Sequence, residues 1–167
     1  GLSKYDLTKF NPWYWQRLHE FAERCDERGL VLFLENYFQH NILEAGAHWA
    51  DFPWRPANNV NATGLPEPPP YIGDKRIFMA SQFYDVSDPR RRELHRNYIR
   101  QCLDNFADRT NVVQMTSGEY SGPLEFTQFW LDTIIEWQRE HGRDILVALS
   151  ASKDVQDAIL ADPTRAA

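Results

Sequence analysis

Two glutamates carry the chemical interest of this 167-residue chain. Glu119 follows the apolar run Val112-Val113-Gln114-Met115 through Thr116-Ser117-Gly118, and Glu35 follows Leu30-Val31-Leu32-Phe33-Leu34. A partly desolvated carboxylate favours its acid form, so it can donate a proton near neutral pH and later take it back. Gly118 removes bulk beside Glu119, Tyr120 adds an aromatic neighbour, and Gly122-Pro123 turns the chain. General acid–base catalysis is the chemistry expected of Glu119; the plainer alternatives are a cap on the following helix or a partner for an arginine. For Glu35 a hydrogen-bond acceptor is expected, structural or ligand-binding, with Asn36 and Gln39 as amides suited to hydroxyl groups. His40 and His48 could be metal ligands beside Glu35 and Asp51, yet their spacing matches no tight motif and no cysteine accompanies them. Gly118 to Gly122 lacks the Lys-Ser or Lys-Thr pair of a phosphate loop, and Ser121 lacks a nucleophile-elbow context.

Both glutamates occupy the same place in a recurring unit, in which an amphipathic helix closes and a short apolar strand follows. The strands are read at Leu30–Leu34, Asn111–Met115 and Asp144–Leu149, each ending in polar residues. Helices alternating with buried strands imply α/β architecture with parallel βα units, and in such sheets ligands gather at the carboxyl ends of the strands.

Asn11 and Pro12 supply an N-cap and a first helical residue, and Gly29 closes that helix, whose apolar stripe is Trp15, Leu18, Phe21, Ala22 and Cys25. Asp88-Pro89 opens a second helix with Leu94, Tyr98, Cys102 and Phe106 inward. After Gly122-Pro123 the stripe Phe126, Phe129, Trp130, Ile134 and Trp137 marks a third, closed by Gly142. A short fourth helix is expected from Lys153 to Ala161, with Val155, Ala158 and Ile159 inward.

Residues 36–88 hold six of the ten prolines. An excursion of that length, leaving the carboxyl end of a strand, is either part of a ligand face or a surface decoration with its own small core.

Three parallel strands cannot close a barrel, which needs about eight. Strands this apolar would have raw edges, and nothing in the sequence caps them. Residues 1–167 are therefore expected to form one partial (β/α)8 barrel that another segment or polypeptide completes; the alternative is a compact three-layer domain whose excursion covers one edge.

The net charge of −6 argues against a nucleic-acid partner. The Arg90-Arg91-Arg92 run is read as a solvated helix start. No run is apolar for long enough to span a membrane. Aromatic residues make up 14% of the chain, enough both to fill a core and to stack on flat ligand faces. Cys25 and Cys102 are expected as buried thiols, and Asn61-Ala62-Thr63 fits the glycosylation triplet only weakly.

Tyr5-Asp-Leu-Thr-Lys-Phe-Asn-Pro-Trp-Tyr-Trp15, with Cys25-Asp-Glu-Arg-Gly-Leu-Val-Leu-Phe-Leu34, resembles the second helix and third strand of cellulase-like (β/α)8 glycoside hydrolases of clan-A type. Asn111 to Glu119 resembles their fourth strand, and residues 145–149 would be the fifth. That family carries its acid/base glutamate at the end of the fourth strand, and Glu119 matches the position. The resemblance implies hydrolysis of a glycosidic bond by two carboxylates with retention, the pair about 5–5.5 Å apart. It implies Trp49, Trp54, Tyr84 and Tyr120 as rings that stack on sugars, and Glu35, Asn36 and His40 as hydroxyl contacts, with a carbohydrate substrate and no cofactor. A polysaccharide hydrolase of this kind is expected in a secreted or periplasmic setting. Two departures stand out: Gly118 replaces the family's asparagine before the acid/base, and no seventh strand supplies a nucleophile. Those departures equally suit a non-catalytic carbohydrate-binding or scaffold protein on a barrel-derived fold.

Overall fold

The computed structural model describes residues 4–38, 49–67 and 79–166. The order of elements is α1 (Pro12–Asp26), β1 (Leu32–Glu35), single 3-10 turns at Trp49–Asp51 and Pro56–Asn58, and α2 (Ala80–Phe83). Then come α3 (Pro89–Asn105), β2 (Val112–Met115), α4 (Leu124–His141), β3 (Leu146–Ala148), α5 (Lys153–Leu160) and α6 (Pro163–Ala166).

The helix ends follow the local chemistry. Asn11 accepts from the Trp13 N–H, and Asp88 accepts from the N–H groups of Arg90 and Arg91, so orphan donors of the first turns are satisfied. Gly142 ends α4 in the left-handed region at φ 61°, where a side chain would be strained. The arginine run opening α3 is partly structural: Arg91 donates to Asp85 at 2.7 Å, and Arg92 lies 5.1 Å over the Phe129 ring.

The three strands form one parallel sheet in the order β1-β2-β3. Leu32 pairs with Val112, and Gln114 pairs with both Leu34 and Val147. Residues paired this way share a face, so Leu32, Leu34, Val112, Gln114 and Val147 look one way, while Phe33, Glu35, Val113, Met115, Leu146 and Ala148 look the other. The first face is covered over β1 and β2, while Val147 of β3 stays 37% exposed. Ala22 of α1 and Phe106 after α3 pack on Val112, Leu32 and Leu34. The main core, centred on Phe126, Trp130, Ile134 and Trp137 of α4, takes in Ile145 and Leu149 beside β3. On the second face, Phe33 is 58% exposed and Leu146 54% exposed. Among the described residues, every helix that packs on the sheet does so on one side.

Some expectations change. Phe21 is exposed, because at about 100° per residue it stands at the margin of the stripe centred on Trp15, Leu18 and Ala22. Cys102 is buried, which pushes its thiol up to about 12, whereas Cys25 is half-buried; both are free. The described parts of the excursion are not a separate small core. Trp49, Phe52, Trp54, Leu65, Met79 and Phe83 join the main one, and the N-terminal segment ties on through a Tyr5–Asn59 bridge.

His95 fastens that excursion to the sheet side. It is fully buried, its Nε2–H donates to the Phe83 carbonyl at 2.9 Å, and its Nδ1 accepts from the Tyr37 hydroxyl at 2.9 Å. The carbonyl can only accept, which fixes the neutral tautomer. The Trp54 ring stacks on it at 4.4 Å. Burial lowers its pKa from 6.5 to about 3. Since protonation is easier in the unfolded chain, this contribution is complete above pH 6.5 and lost as pH falls toward 3. Denaturant unfolding should show stability dropping by up to about 1.4 kcal/mol per pH unit in that window. A His95→Gln variant should be less stable at pH 7, with the gap to wild type closing as the solution is acidified. A gap that stays constant with pH would exclude this role.

Candidate functional site

The site is built where β1 and β2 end. Glu35 is the last residue of β1, on the uncovered face of the sheet, and is exposed. Glu119 sits four residues beyond β2, on a turn, also exposed, with φ +54°. Left-handed backbone in a non-glycine residue with a long side chain costs of order 1–3 kcal/mol and persists only where the surroundings enforce it. Two bonds enforce it here. The Glu119 N–H donates to Ser150 Oγ at 3.2 Å, and the Tyr120 N–H donates to the Ser150 carbonyl at 2.9 Å. The loop after β3 thus holds the loop after β2.

Gly118 brings the two glutamates together. A Cβ placed on it would lie 3.0 Å from Glu35 Oε1 and 3.4 Å from its Cδ. The Glu35 carboxylate therefore stands close to the backbone preceding Glu119, and a side chain at 118 would press it aside by a few tenths of an ångström.

Tyr120 supports the turn from beneath. It is 4% exposed, its hydroxyl donates to the Pro123 carbonyl at 2.9 Å, and its ring meets Tyr84 at 5.0 Å. Burial raises both phenols well above their usual range.

The structure redistributes the residues expected to contact sugar. Trp49, Tyr84 and Tyr120 are core rings, with no face left for a ligand. Trp54 is also buried, but it lines a cleft beside β1. Asn36 is a structural node: its Nδ2 donates to Gln114 Oε1 at 2.9 Å, and its Oδ1 accepts from Trp130 Nε1 at 2.8 Å. Its carbonyl accepts from the Tyr98 hydroxyl at 2.6 Å. A buried amide so engaged is not available to a sugar hydroxyl. The desolvation expected around Glu119 is not provided by the described residues, because the face beside it is bare. Gln39, His40 and His48 lie outside the described residues. Among the described residues, no group of three or more potential metal ligands comes together.

Sequence reasoning did not find Ser150 as the residue that anchors the Glu119 turn. Its only signal was the polar Ser150-Ala151-Ser152 ending of the third strand.

A family model described as a domain of unknown function, DUF6298, matches residues 1–167. The chain belongs to this family. The description assigns the family no activity, so the site's chemistry rests on its own geometry. No curated protein and no solved structure matches the chain.

The Tyr120 support also fixes Gly122. A Cβ there would fall 2.3 Å from Tyr120 Oη, 2.5 Å from its Cζ and 2.6 Å from Tyr84 Cδ2. Gly122→Ala should therefore lower unfolding stability by about 1–3 kcal/mol and disturb the near-UV signal of the buried tyrosines. Unchanged values for both would mean that Tyr120 does not hold this position.

Proposed function

We propose that this chain is the acid/base-bearing portion of a glycoside hydrolase of (β/α)8-barrel type, with Glu119 as the general acid/base. The observation that carries the reading is Glu119 held at φ +54° at the carboxyl end of the central strand, with the Glu35 carboxylate packed against its neighbour Gly118. Backbone strain of this kind clusters at functional sites, and the carboxyl ends of parallel strands are where such sheets place their chemistry. Strand order and the single helix-covered face also support a barrel segment. A doubly wound sheet would carry helices on both faces.

In this reading Glu119 protonates the leaving oxygen and then removes a proton from the attacking water. Glu35, one strand away, binds a hydroxyl group of the sugar. No carboxylate among the described residues is assigned the nucleophile's part. That carboxylate would come from a further strand, in the same polypeptide or another, and closure against the exposed Phe33 and Leu146 would desolvate Glu119.

A second reading has its own observation in its favour. Glu119 is exposed, and Gly118 stands where the resembling enzymes have asparagine. Both suit a barrel-derived protein that binds carbohydrate without cleaving it. Calorimetric sugar binding with no hydrolysis by the full polypeptide would select it.

Two substitutions in the full polypeptide separate catalysis from structure. Glu119→Gln should lower turnover of aryl glycosides or polysaccharide by about 10²–10⁴-fold, and near wild-type turnover would remove Glu119 from the mechanism. Glu119→Gly should abolish the same turnover while raising unfolding stability by about 1 kcal/mol, because glycine adopts positive φ without strain. A stability loss with Gly would instead assign Glu119 a structural role.

A further inference from the structure

The carboxyl end of β1 opens on its outer side into a cleft of about 400 Å³. It lies between the N-terminal segment, the residues following β1 and the excursion. Its lining is aromatic to an unusual degree. Tyr37, Phe52 and Trp54 form the buried part, and the half-buried Tyr98 ring stands 5.2 Å from Tyr37. Tyr5, Tyr14 and Phe38 line the same cleft while remaining 53%, 52% and 57% exposed. Scattered exposed aromatics need no explanation, but three gathered on one concavity do.

The polar groups at the cleft are equally specific. Asp6 accepts from the Thr8 N–H at 3.0 Å, from the Thr8 hydroxyl at 2.6 Å and from Asn61 Nδ2 at 3.2 Å, while Lys9 Nζ stands 3.2 Å from its other oxygen. These bonds lower the Asp6 pKa, so it offers a fixed acceptor, and Lys9 beside it offers a donor. Stiff aromatic walls with a donor–acceptor pair at one end suit a neutral ring that is apolar on its faces and hydroxylated round its rim.

We propose that this cleft binds a pyranose unit of a neutral oligosaccharide, as a subsite extending from Glu35 past the end of β1. The subsite rests on the carbohydrate reading above but not on hydrolysis. Asn36, Tyr37 and Phe38, which directly follow Glu35 in the chain, line the cleft.

The test uses the full polypeptide and a panel of neutral tetrasaccharides of glucose, xylose, mannose and galactose, read by saturation-transfer NMR and calorimetry. At least one member should bind. Phe38→Ala and Tyr14→Ala should each weaken that binding at least tenfold in protein that still unfolds cooperatively, and Glu119→Gln should retain it. If the panel does not bind at up to 10 mM, or if binding survives both alanine substitutions, the subsite is wrong, even where the enzyme cleaves glycosides with unaltered KM. If binding is lost through the alanines but no variant or wild type hydrolyses anything, the subsite stands and the hydrolase reading falls.

Discussion

The side chain and carbonyl of Asn36 join four elements at one buried point. The amide donates to Gln114 of β2 and accepts from Trp130 of α4, and the backbone carbonyl accepts from Tyr98 of α3. Asn36 itself directly follows β1. Gln114 is 1% exposed, so neither amide can fall back on water if the pairing fails. A buried polar group without its partner costs about 1–3 kcal/mol, whereas satisfied ones fix a single arrangement. The node therefore sets where β1 ends relative to β2 and how α3 and α4 sit behind both.

The placement of Glu35 follows from that register. Side chains alternate along a strand, so anchoring Asn36 and Gln114 on the helix side forces Glu35 and Met115 to the other. A slip of one residue would turn the Glu35 carboxylate toward the helix side and carry Leu32, Leu34 and the Asn36 amide to the other face. The same alternation puts Phe33 beside Val113 and Leu146 on the uncovered face. Gly118 completes the arrangement from the other strand, because its bare Cα leaves room for the carboxylate that the register delivers.

Much of the scaffold was legible from short-range signals. Asn11, Asp88 and Gly142 act locally, and their roles follow from residue type and neighbours. The α4 stripe was equally clear, since five apolar residues at helical spacing leave no other face to bury. What the sequence hid is long-range. Asn36 looks like a ligand contact until Gln114 and Trp130, 78 and 94 residues away, are seen to engage it. Trp49 and Tyr84 look like stacking platforms until the excursion folds back into the main core, Trp49 against Phe52 and Tyr84 against Phe126 of α4. Strand lengths were overestimated for a related reason: an apolar run continues after the ladder has stopped pairing, so Leu30 and Val31 read as strand yet are exposed.

The bare face and the chemistry of Glu119 are one physical question. Among the described residues the helices lie on one side of the sheet, leaving Phe33 and Leu146 exposed on the other, an apolar surface that water does not favour. Glu119 and Glu35 stand at the upper margin of that same surface. A carboxylic acid keeps its proton near neutral pH only where the charged form is poorly solvated. Glu35 ends β1 on the same face as Phe33, so an element that covered Phe33 and Leu146 would withdraw water from the hydrocarbon and from the rim where that carboxylate stands.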